Sequence, residues 1–198
     1  MFTFDNDKFL SGYQTSFAIP RLTDSSSSGL MNLITLLAED PDVTDIRWAA
    51  YMLATVKHEC ANSWMPIEEF GKGQGKPYGQ PTVVTDQNGT QFTNTYYGRG
   101  FVQLTWRLNY DRLGQALGLA NGLVLHPEHA LEPTTAYRIM SFGMRHGSFT
   151  GKGLGAYIQG DACDYLNARR IINGLDQADR IRGYAQSLES VLNQAKTG

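Results

Sequence analysis

The order of apolar and polar positions along this chain is mostly that of amphipathic helices. Apolar residues recur every three or four positions, which is the period of one helix face. Capping residues, glycines and prolines mark where the helices begin and end. The predicted helices span 30–37, ending before Pro41; Thr44 or Asp45 to Asn62; Thr105 to Leu117, with Thr105 as N-cap and Gly118 just past the end; 133–145; 161–172; and 177–195.

A different pattern occupies residues 71–95, where Gly, Pro, Thr and Asn replace the helical spacing. Two stretches, 82–85 and 90–93, flank Asp86-Gln87-Asn88-Gly89, which predicts a small β-hairpin. A long polar insertion between helices is more often functional than filler. The whole pattern predicts one mainly α, irregular helical domain over residues 1–198, with residues 1–44 as a helical lead-in.

The composition excludes several classes of protein. The chain has 198 residues, 41% of them hydrophobic, which is enough for one sizeable core. Its net charge of -2 gives no basic field, so no nucleic-acid partner is expected. The start, MFTFDNDKFL, is acidic where a signal peptide is basic, and no apolar run reaches the length of a membrane span. We expect a monomer that is made in the cytoplasm without a signal peptide.

The histidines do not predict a metal site. His58-Glu59 begins like the zinc-protease motif, but the second histidine of that motif belongs at position 62, which is Asn62. His126 and His129 form the other close pair, in a Pro-Glu loop, and are weak evidence for a metal. We therefore expect neither a metal nor an organic cofactor.

The two cysteines, Cys60 and Cys163, lie within predicted helices and are too few for a disulfide scaffold. Reduced and mostly buried thiols are the expectation. Cys60 and His58 do not suit a catalytic dyad, because neighbouring residues on a helix point about 100° apart.

Glu59 is the first candidate for acid–base chemistry. On the helical period it lies at the edge of the apolar stripe that contains Met52 and Val56. A carboxyl group there is partly desolvated, which favours its protonated form, as a general acid requires. The alternative is a solvated glutamate at a helix end, and position alone leaves both interpretations open.

Two further carboxylates, Glu68 and Glu69, follow the end of that helix. A turn of the chain can bring one of them across a groove from Glu59, and two facing carboxylates are the minimum apparatus for glycoside hydrolysis. In an extended segment only one of the two faces the groove. Phe70 is expected in the core, which turns Glu68 inward with it and leaves Glu69 for the groove.

The segment from Tyr96 to Trp106 combines glycines with polar residues. Glycines on both sides of Arg99 allow the backbone to pass close to another group. Gln103 and Thr105 alternate with apolar neighbours and are expected to point into one cavity. Each aromatic ring of the segment is more simply explained as core than as a surface for sugar stacking.

Three ordered blocks of this sequence resemble the family 19 glycoside hydrolases, which are class I type chitinases and their bacterial and phage endolysin relatives. The resemblance spans about residues 45–192. It implies a lysozyme-like helical domain with the small hairpin beside an active-site cleft, acting on a β-1,4-linked aminosugar polymer. The blocks are His58-Glu59, Tyr97-Gly98-Arg99-Gly100-Phe101-Val102-Gln103-Leu104-Thr105 and Ile171-Ile172-Asn173-Gly174.

The resemblance also implies roles for single residues. Glu59 matches the general acid, and Glu69, or failing that Glu68, matches the carboxylate that activates water in an inverting reaction. Thr105 matches the hydroxyl residue that helps to hold this water. The remaining matches are Gln103, Asn109 and Asn173 as substrate contacts, Arg180 as a supporting arginine, and Tyr97 near the substrate, for which a scaffold role is the simpler interpretation.

Two departures favour the endolysin branch of the family. Leu108 stands where plant chitinases carry a tyrosine, and the multiple disulfides of those secreted enzymes are absent from a chain with two cysteines. Peptidoglycan is therefore the expected substrate, reached at the cell wall after release or export by another route, with chitin or chitooligosaccharides as the alternative. The competing hypotheses are a catalytically inactive glycan-binding module and a toxin-like effector with the same chemistry.

Overall fold

The computed structural model describes residues 1–197. The chain divides into two compact units, Met1–Met65 with Met144–Gly198 and Pro66–Gly143. A single domain over the whole chain stays a prediction. The helices and strands are α1 (Asn6–Ser16), α2 (Asp24–Glu39), α3 (Ile46–Glu59), β1 (Ile67–Glu68), β2 (Thr82–Thr85), β3 (Gln91–Asn94), β4 (Arg99–Gly100), α4 (Arg107–Ala116), α5 (Gly122–Leu125), α6 (Pro133–His146), β5 (Ile158–Gln159), β6 (Ala162–Cys163) and α7 (Ala178–Ala195).

The first unit is built around α3. Every residue from Ala49 to Lys57 is buried, although the sequence predicted only one apolar stripe. A helix that is covered on all sides belongs in the middle of a core. The terminal helix α7 packs against both α3 and α1, so the end of the chain completes this core.

The helix α3 ends at Glu59, three residues before the predicted end. Its N-terminus is as predicted, because the side chain of Asp45 accepts a hydrogen bond from the backbone N–H of Arg47. Beyond Glu59 the chain turns sharply, with Ala61 at φ 48° and Asn62 at φ 63°. Left-handed residues of this kind cannot continue an α-helix.

The predicted helix 161–172 is wrong. Strands β5 and β6 instead pair around Gly160, which has φ 55°, and a 3-10 turn follows at Asn167–Ile171. A glycine in the left-handed region favours a tight turn over a helix start. Cys163 is consequently exposed on β6, against the expectation of burial, whereas Cys60 is buried.

The second unit contains the predicted hairpin, which is confirmed as β2 paired with β3 from Thr82↔Asn94 to Thr85↔Gln91. Asp86 closes its turn, because one carboxylate oxygen accepts hydrogen bonds from the backbone N–H groups of Asn88 and Thr90, both at 2.8 Å. The hairpin is tied to α5 through the side-chain amide of Asn94, which donates to two carbonyl groups of that helix.

A shorter pair of strands, β1 and β4, places Glu68 opposite Arg99. Of the glycines beside Arg99, Gly100 is required against a backbone group, as predicted, and Gly98 packs against the end of the Gln103 side chain. A Cβ atom on Gly100, whose φ is +84°, would lie 2.7 Å from the carbonyl oxygen of Ala130, and one on Gly98 would lie 2.8 Å from Oε1 of Gln103.

The helix α4 begins one residue later than predicted. Trp106 is the N-cap residue and adopts φ 73°, without a side-chain hydrogen bond to the helix. Thr105 does not cap the helix, because its hydroxyl donates to the carbonyl oxygen of Gln103 at 2.8 Å. Gly118 follows the helix at φ +72°, as expected of a residue just past a helix end. Among residues 1–197, no helix combines the length and the apolar character needed to cross a bilayer.

Candidate active site

Glu59 is the last residue of α3, and 16% of its side chain is exposed. The partial burial expected from the sequence is therefore confirmed. Its surroundings are not purely apolar, because Nη1 of Arg169 donates a hydrogen bond to Glu59 Oε1 at 2.7 Å. Only 4% of the Arg169 side chain is exposed, so water screens this ion pair little, and the pair fixes the direction of one carboxylate oxygen.

Arg169, the partner of Glu59, was not among the site residues predicted from the sequence. It lies in the 3-10 turn Asn167–Ile171, and its Nε donates to the carbonyl oxygen of Asp176 at 3.1 Å. Its own carbonyl oxygen accepts from the backbone N–H of Asn173 at 3.0 Å. The one signal in the sequence is that Arg169 stands two residues before the block Ile171-Ile172-Asn173-Gly174.

The other predicted residues of the first unit lie on its surface. Asn173 is exposed, and its Oδ1 accepts a hydrogen bond from the backbone N–H of Gly174 at 2.8 Å. Arg180 is exposed in the first turn of α7. Burial is the main reason that the pKa of His58 is lowered; the negative charge of Glu59 opposes this lowering, and the positive charges of Arg169 and Arg180 add to it.

In the second unit, Glu68 is surrounded by donors. Tyr97 donates its hydroxyl hydrogen bond to Oε1, and Lys72 forms an ion pair with Oε2 at 2.7 Å. Nε of Arg99 lies 4.0 Å from Oε1. The hydrogen bond from Lys72 is the main reason that the pKa of Glu68 is lowered, and the Tyr97 hydroxyl adds to it.

Glu69 has a separate set of partners. The hydroxyl of Tyr78 donates to Oε1 at 2.8 Å, and the backbone N–H of Gly98 donates to Oε2 at 3.0 Å. Both donors are neutral, in contrast to the cations around Glu68. The expectation that Phe70 lies in the core is wrong, because this side chain is fully exposed. Gly71, at φ +82°, turns the chain directly after it, so the inward and outward alternation of a strand does not continue.

Arg99 is buried and organises the residues around Glu68. Its guanidinium lies 3.6 Å from the centre of the Tyr97 ring, a cation–π contact, and its Nη1 donates to the Tyr110 hydroxyl at 3.1 Å. Among the residues that the structure describes, its buried Nε has no hydrogen-bond partner. Arg99 thus holds Tyr97, and Tyr97 in turn holds Glu68, which gives Tyr97 a supporting position.

Gln103, Thr105 and Asn109 lie close together, but not as an alternating strand. Gln103 adopts φ 52°, and its Nε2 donates to the carbonyl oxygens of Ile67 and Gly100 at 3.1 and 3.2 Å. Asn109 Nδ2 donates to the carbonyl oxygen of Thr105 at 2.8 Å. The strand-like alternation expected at Gln103 and Thr105 is wrong, because the chain turns at Gln103, and the expectation that both point into one cavity stays a prediction.

Two non-glycine residues of this segment, Gln103 and Trp106, have positive φ angles. Each such residue costs roughly 1–3 kcal/mol, and strain of this kind concentrates at functional sites. Trp106 is also half-exposed, with 49% of its surface accessible, against the expectation that the aromatic residues here are core. Its ring meets that of Tyr78 edge-on at 5.2 Å between centres.

The candidate site residues that could carry acid–base chemistry are carboxylates. Within residues 1–197, no three His, Cys, Asp or Glu side chains are grouped so that they could hold a metal ion. Glu59 is a single, shielded carboxyl group at a helix end, and Glu68 and Glu69 form a second acidic group held by tyrosines. Each of the two units therefore carries a candidate acid–base group of its own.

Comparisons with known proteins identify the family of the chain. The sequence model of the class I chitinase family matches residues 38–144, which is more than half of the chain. An endochitinase of Arabidopsis thaliana is 38% identical over 93 residues, covering 46% of this chain and 30% of the plant protein. An acidic endochitinase of Solanum chilense is 43% identical over 47 residues, covering 23% of this chain and 19% of that protein. The chain thus spans less than a third of the length of these relatives.

Two solved structures share the fold. Chitinase C from Streptomyces griseus HUT6037 aligns with a TM-score of 0.61 and 20% identity, covering 100% of this chain and 79% of that chain. A bacterial family 19 chitinase aligns with a TM-score of 0.58 and 20% identity, covering 95% and 94% of the two chains. The mainly α, lysozyme-like fold expected from the sequence is therefore confirmed.

Proposed function

The chain belongs to the class I chitinase family, glycoside hydrolase family 19, and we propose that it hydrolyses β-1,4 glycosidic bonds of an aminosugar polymer by an inverting, two-carboxylate mechanism. The observation that carries the proposal is the carboxyl group of Glu59, which is shielded from water and oriented by the buried Arg169. An inverting glycosidase needs such an oriented acid, and it needs a second carboxylate roughly 6.5 to 9.5 Å away, with room for a water molecule between them.

In the proposed reaction, Glu59 gives its proton to the glycosidic oxygen as the bond from that oxygen to the anomeric carbon breaks. Water attacks the anomeric carbon from the opposite face, and the base takes the proton that this water releases. Glu59 leaves the reaction ionised and must regain a proton before the next turnover. Arg169 keeps one oxygen of Glu59 fixed, so that the other is presented to the substrate.

Glu69 is the proposed base. Glu68 accepts from Lys72 and Tyr97, and its pKa is lowered, which makes it the weaker base. Glu69 accepts hydrogen bonds from neutral donors, Tyr78 and the backbone of Gly98, which orient it without a neighbouring positive charge. The choice of Glu69 therefore rests on these hydrogen-bond donors and not on the expected burial of Phe70, which is exposed.

The remaining predicted residues take supporting roles in the proposal. Thr105 helps to hold the attacking water, and Asn109 contacts the sugar beside it. Gln103 uses its amide to fix the carbonyl groups of Ile67 and Gly100, so its contribution includes shaping the strand that carries Glu68. The other supporting residues are Asn173 and Tyr97 as sugar contacts and Arg180 as a source of positive charge near His58.

Peptidoglycan is the proposed polymer, with chitin as the alternative that the names of the relatives favour. Leu108, where plant chitinases carry a tyrosine, is 54% exposed and offers a sugar no hydroxyl group. The bond in either polymer is of the same β-1,4 type, so the chemistry of the two carboxylates is unchanged. We propose that the enzyme acts on cell wall after release or export by another route.

Incubation with purified peptidoglycan and, separately, with soluble N-acetylglucosamine hexamers tests the proposal. Mass spectrometry of the products identifies the bond that is cut, and early NMR spectra of the new reducing ends report their anomeric form. We expect muropeptide fragments and an α-anomer as the first product. Products of β configuration would contradict the inverting mechanism, and binding without cleavage would favour the inactive glycan-binding module.

A further inference from the structure

Lys57 is a buried lysine two residues before Glu59 on α3. Only 4% of the residue is exposed, and its ammonium group is enclosed by aromatic rings from α1, α7 and the turn after α3. The distances from Nζ to the ring centres are 4.3 Å for Phe17, 5.1 Å for Tyr13, 5.2 Å for Tyr184 and 5.8 Å for Trp64. Lys57 and these four aromatic residues are called the lysine cage below.

The lysine cage holds a cation without a counter-ion. Among residues 1–197, no carboxylate lies within 4.0 Å of Lys57 Nζ; its hydrogen bonds go to neutral oxygens, the Tyr13 hydroxyl and Asn62 Oδ1, both at 2.8 Å. Burial lowers the pKa of Lys57 to about 8. Burying a charge is costly unless it is compensated, and ring faces compensate it in part. A methionine would fill this space without that cost, so the ammonium group needs a reason of its own.

The end of α3 supplies that reason. The backbone N–H of Asn62 donates to the carbonyl oxygen of Lys57 at 3.1 Å, and that of Ala61 donates to the carbonyl oxygen of His58 at 3.3 Å. These two bonds form a Schellman motif, in which Glu59 is the last helical residue and Ala61 takes the left-handed position. Glycine normally occupies that position, so an alanine there adds strain that other contacts must offset.

In an ordinary Schellman motif the residue after the left-handed position makes two contacts with one residue of the last helical turn. Its backbone N–H donates to the carbonyl oxygen of that residue, and the two side chains form an apolar contact. Here those residues are Asn62 and Lys57, and the contact between them is the hydrogen bond from Nζ to Oδ1 at 2.8 Å. Lys57 thus holds Asn62 through both its backbone and its side chain. The turn that is fixed in this way begins one residue after Glu59.

We propose that Lys57, held in the lysine cage, is a positioning residue for the reaction: through Asn62 it fixes the turn that ends α3 and so sets the direction of the Glu59 carboxyl group. The inference rests on the proposed role of Glu59 as the acid. It predicts that loss of the Lys57–Asn62 hydrogen bond slows the chemical step while substrate binding is retained.

The test uses the full chain with Lys57→Met, which fills the cage without a charge, and Asn62→Ala, which leaves the cage intact but removes the acceptor. We expect Lys57→Met to lower kcat roughly ten- to a hundred-fold with KM changed less than about two-fold, since small misplacements of a catalytic group cost this much. Exchange of the backbone amides at positions 61 and 62 should accelerate in both variants, with exchange in α2 unchanged. Lys8→Met, at an exposed lysine of α1, is the matched control and should change neither readout.

A double variant separates positioning from charge. In Lys57→Met with Asn62→Gly, glycine adopts the left-handed φ of 63° without the steric cost of a side chain, so the turn should re-form without the hydrogen bond, recover part of the lost kcat and slow the exchange at the turn. The proposal is overturned if Lys57→Met leaves kcat and the exchange of the turn unchanged, if exchange rises equally throughout the chain, or if the double variant fails to recover. If Lys57→Met does not fold, the same measurements of kcat and amide exchange on Asn62→Ala decide whether the proposal holds.

The exchange measurements also keep this proposal apart from the proposed function. If the wild-type chain cleaves neither peptidoglycan nor chitooligosaccharide, the function fails, and the kinetic part of this inference fails with it. Accelerated exchange at Ala61 and Asn62 in Lys57→Met would still establish that Lys57 fixes the end of α3. Unchanged exchange in an active enzyme would reject the positioning role while leaving the function intact.

Discussion

Glu59 and the pair Glu68 and Glu69 are held in opposite ways. Glu59 ends a helix that is buried on every side, and one largely buried arginine from a distant part of the chain fixes its carboxylate. Glu68 and Glu69 follow one another where a two-residue strand ends, and tyrosines, a backbone N–H and a surface lysine share the task of holding them. The direction of the Glu59 carboxylate depends on one ion pair and on the turn that ends α3, whereas the second region distributes its contacts, so single substitutions should have very different consequences in the two regions.

The largest effect is expected for Glu59→Gln. The amide retains the shape of the side chain and can still accept from Arg169, but it cannot deliver a proton. General acid catalysis is worth about 10² to 10⁴-fold, so kcat should fall by at least about 10²-fold. Steady-state hydrolysis of chitooligosaccharide or peptidoglycan measures this loss, with Glu39→Gln on the surface of α2 as control. Turnover near that of the wild type would remove Glu59 from the mechanism.

The next effect distinguishes the two carboxylates of the second unit. Glu69→Gln should lower kcat about 10²-fold, because the water then lacks its base. Glu68→Gln should lower it less than about ten-fold, because Glu68 is engaged with Lys72 and Tyr97. Each variant serves as the control for the other, and thermal melts check that both are folded. The reverse order of losses would transfer the base to Glu68, and full activity in both would contradict a two-carboxylate mechanism.

The difference between regular helices and short irregular segments explains how much of the fold the sequence predicts. Periodicity finds α2, α3 and α7, because a helix that buries a face must place its apolar residues three or four apart. It fails at 161–172, where β6 pairs with β5 across the turn at Gly160 and the chain then tightens to a 3-10 turn. Short irregular segments are stabilised by tertiary contacts, which leave little periodic trace in the sequence.

The candidate site residues differ in the same way, between those on a helix and those in irregular turns. The partial burial of Glu59 is predictable, because the residue lies at the edge of the apolar stripe of α3. Its partner Arg169 is not, because it comes from an irregular turn and meets Glu59 only after folding. Phe70 shows the limit of residue preference, since an aromatic residue between Glu69 and the turn at Gly71 is fully exposed. A preference for burial yields to the local turn of the backbone.

The third prediction concerns the ion pair of Glu59. Arg169→Met leaves a largely buried carboxylate without its cation, and breaking a buried pair in this way costs roughly 3–5 kcal/mol. The free energy of unfolding from urea titration should fall by about that amount, and kcat should fall with it, because Glu59 is no longer oriented. In the double variant Arg169→Met with Glu59→Gln, much of the stability should return, because no unpaired charge remains. An unfolding free energy equal to that of the wild type would mean that the pair does not hold Glu59.

The smallest effect is expected where the holding contact is exposed. Lys72 and Glu68 have 62% and 34% of their side chains exposed, so water screens their ion pair, and Lys72→Met should leave the melting temperature at pH 7 within about 2 °C of the wild type. The effect should appear in acid. Because the folded-state pKa of Glu68 lies below its unfolded value, the carboxylate contributes stability above the unfolded pKa, and this contribution is lost as the pH falls through the folded pKa. Lys72 is the main cause of that lowering, so Lys72→Met should lose less stability than the wild type when the solution is acidified. The difference should appear between roughly pH 5 and pH 2, around the ordinary pKa of a glutamate. Melting curves across this range measure the difference, and Lys76→Met serves as the control at a neighbouring exposed lysine. A melting temperature at pH 7 that falls as far as in Arg169→Met would contradict the contrast between one shielded pair and a distributed set of contacts.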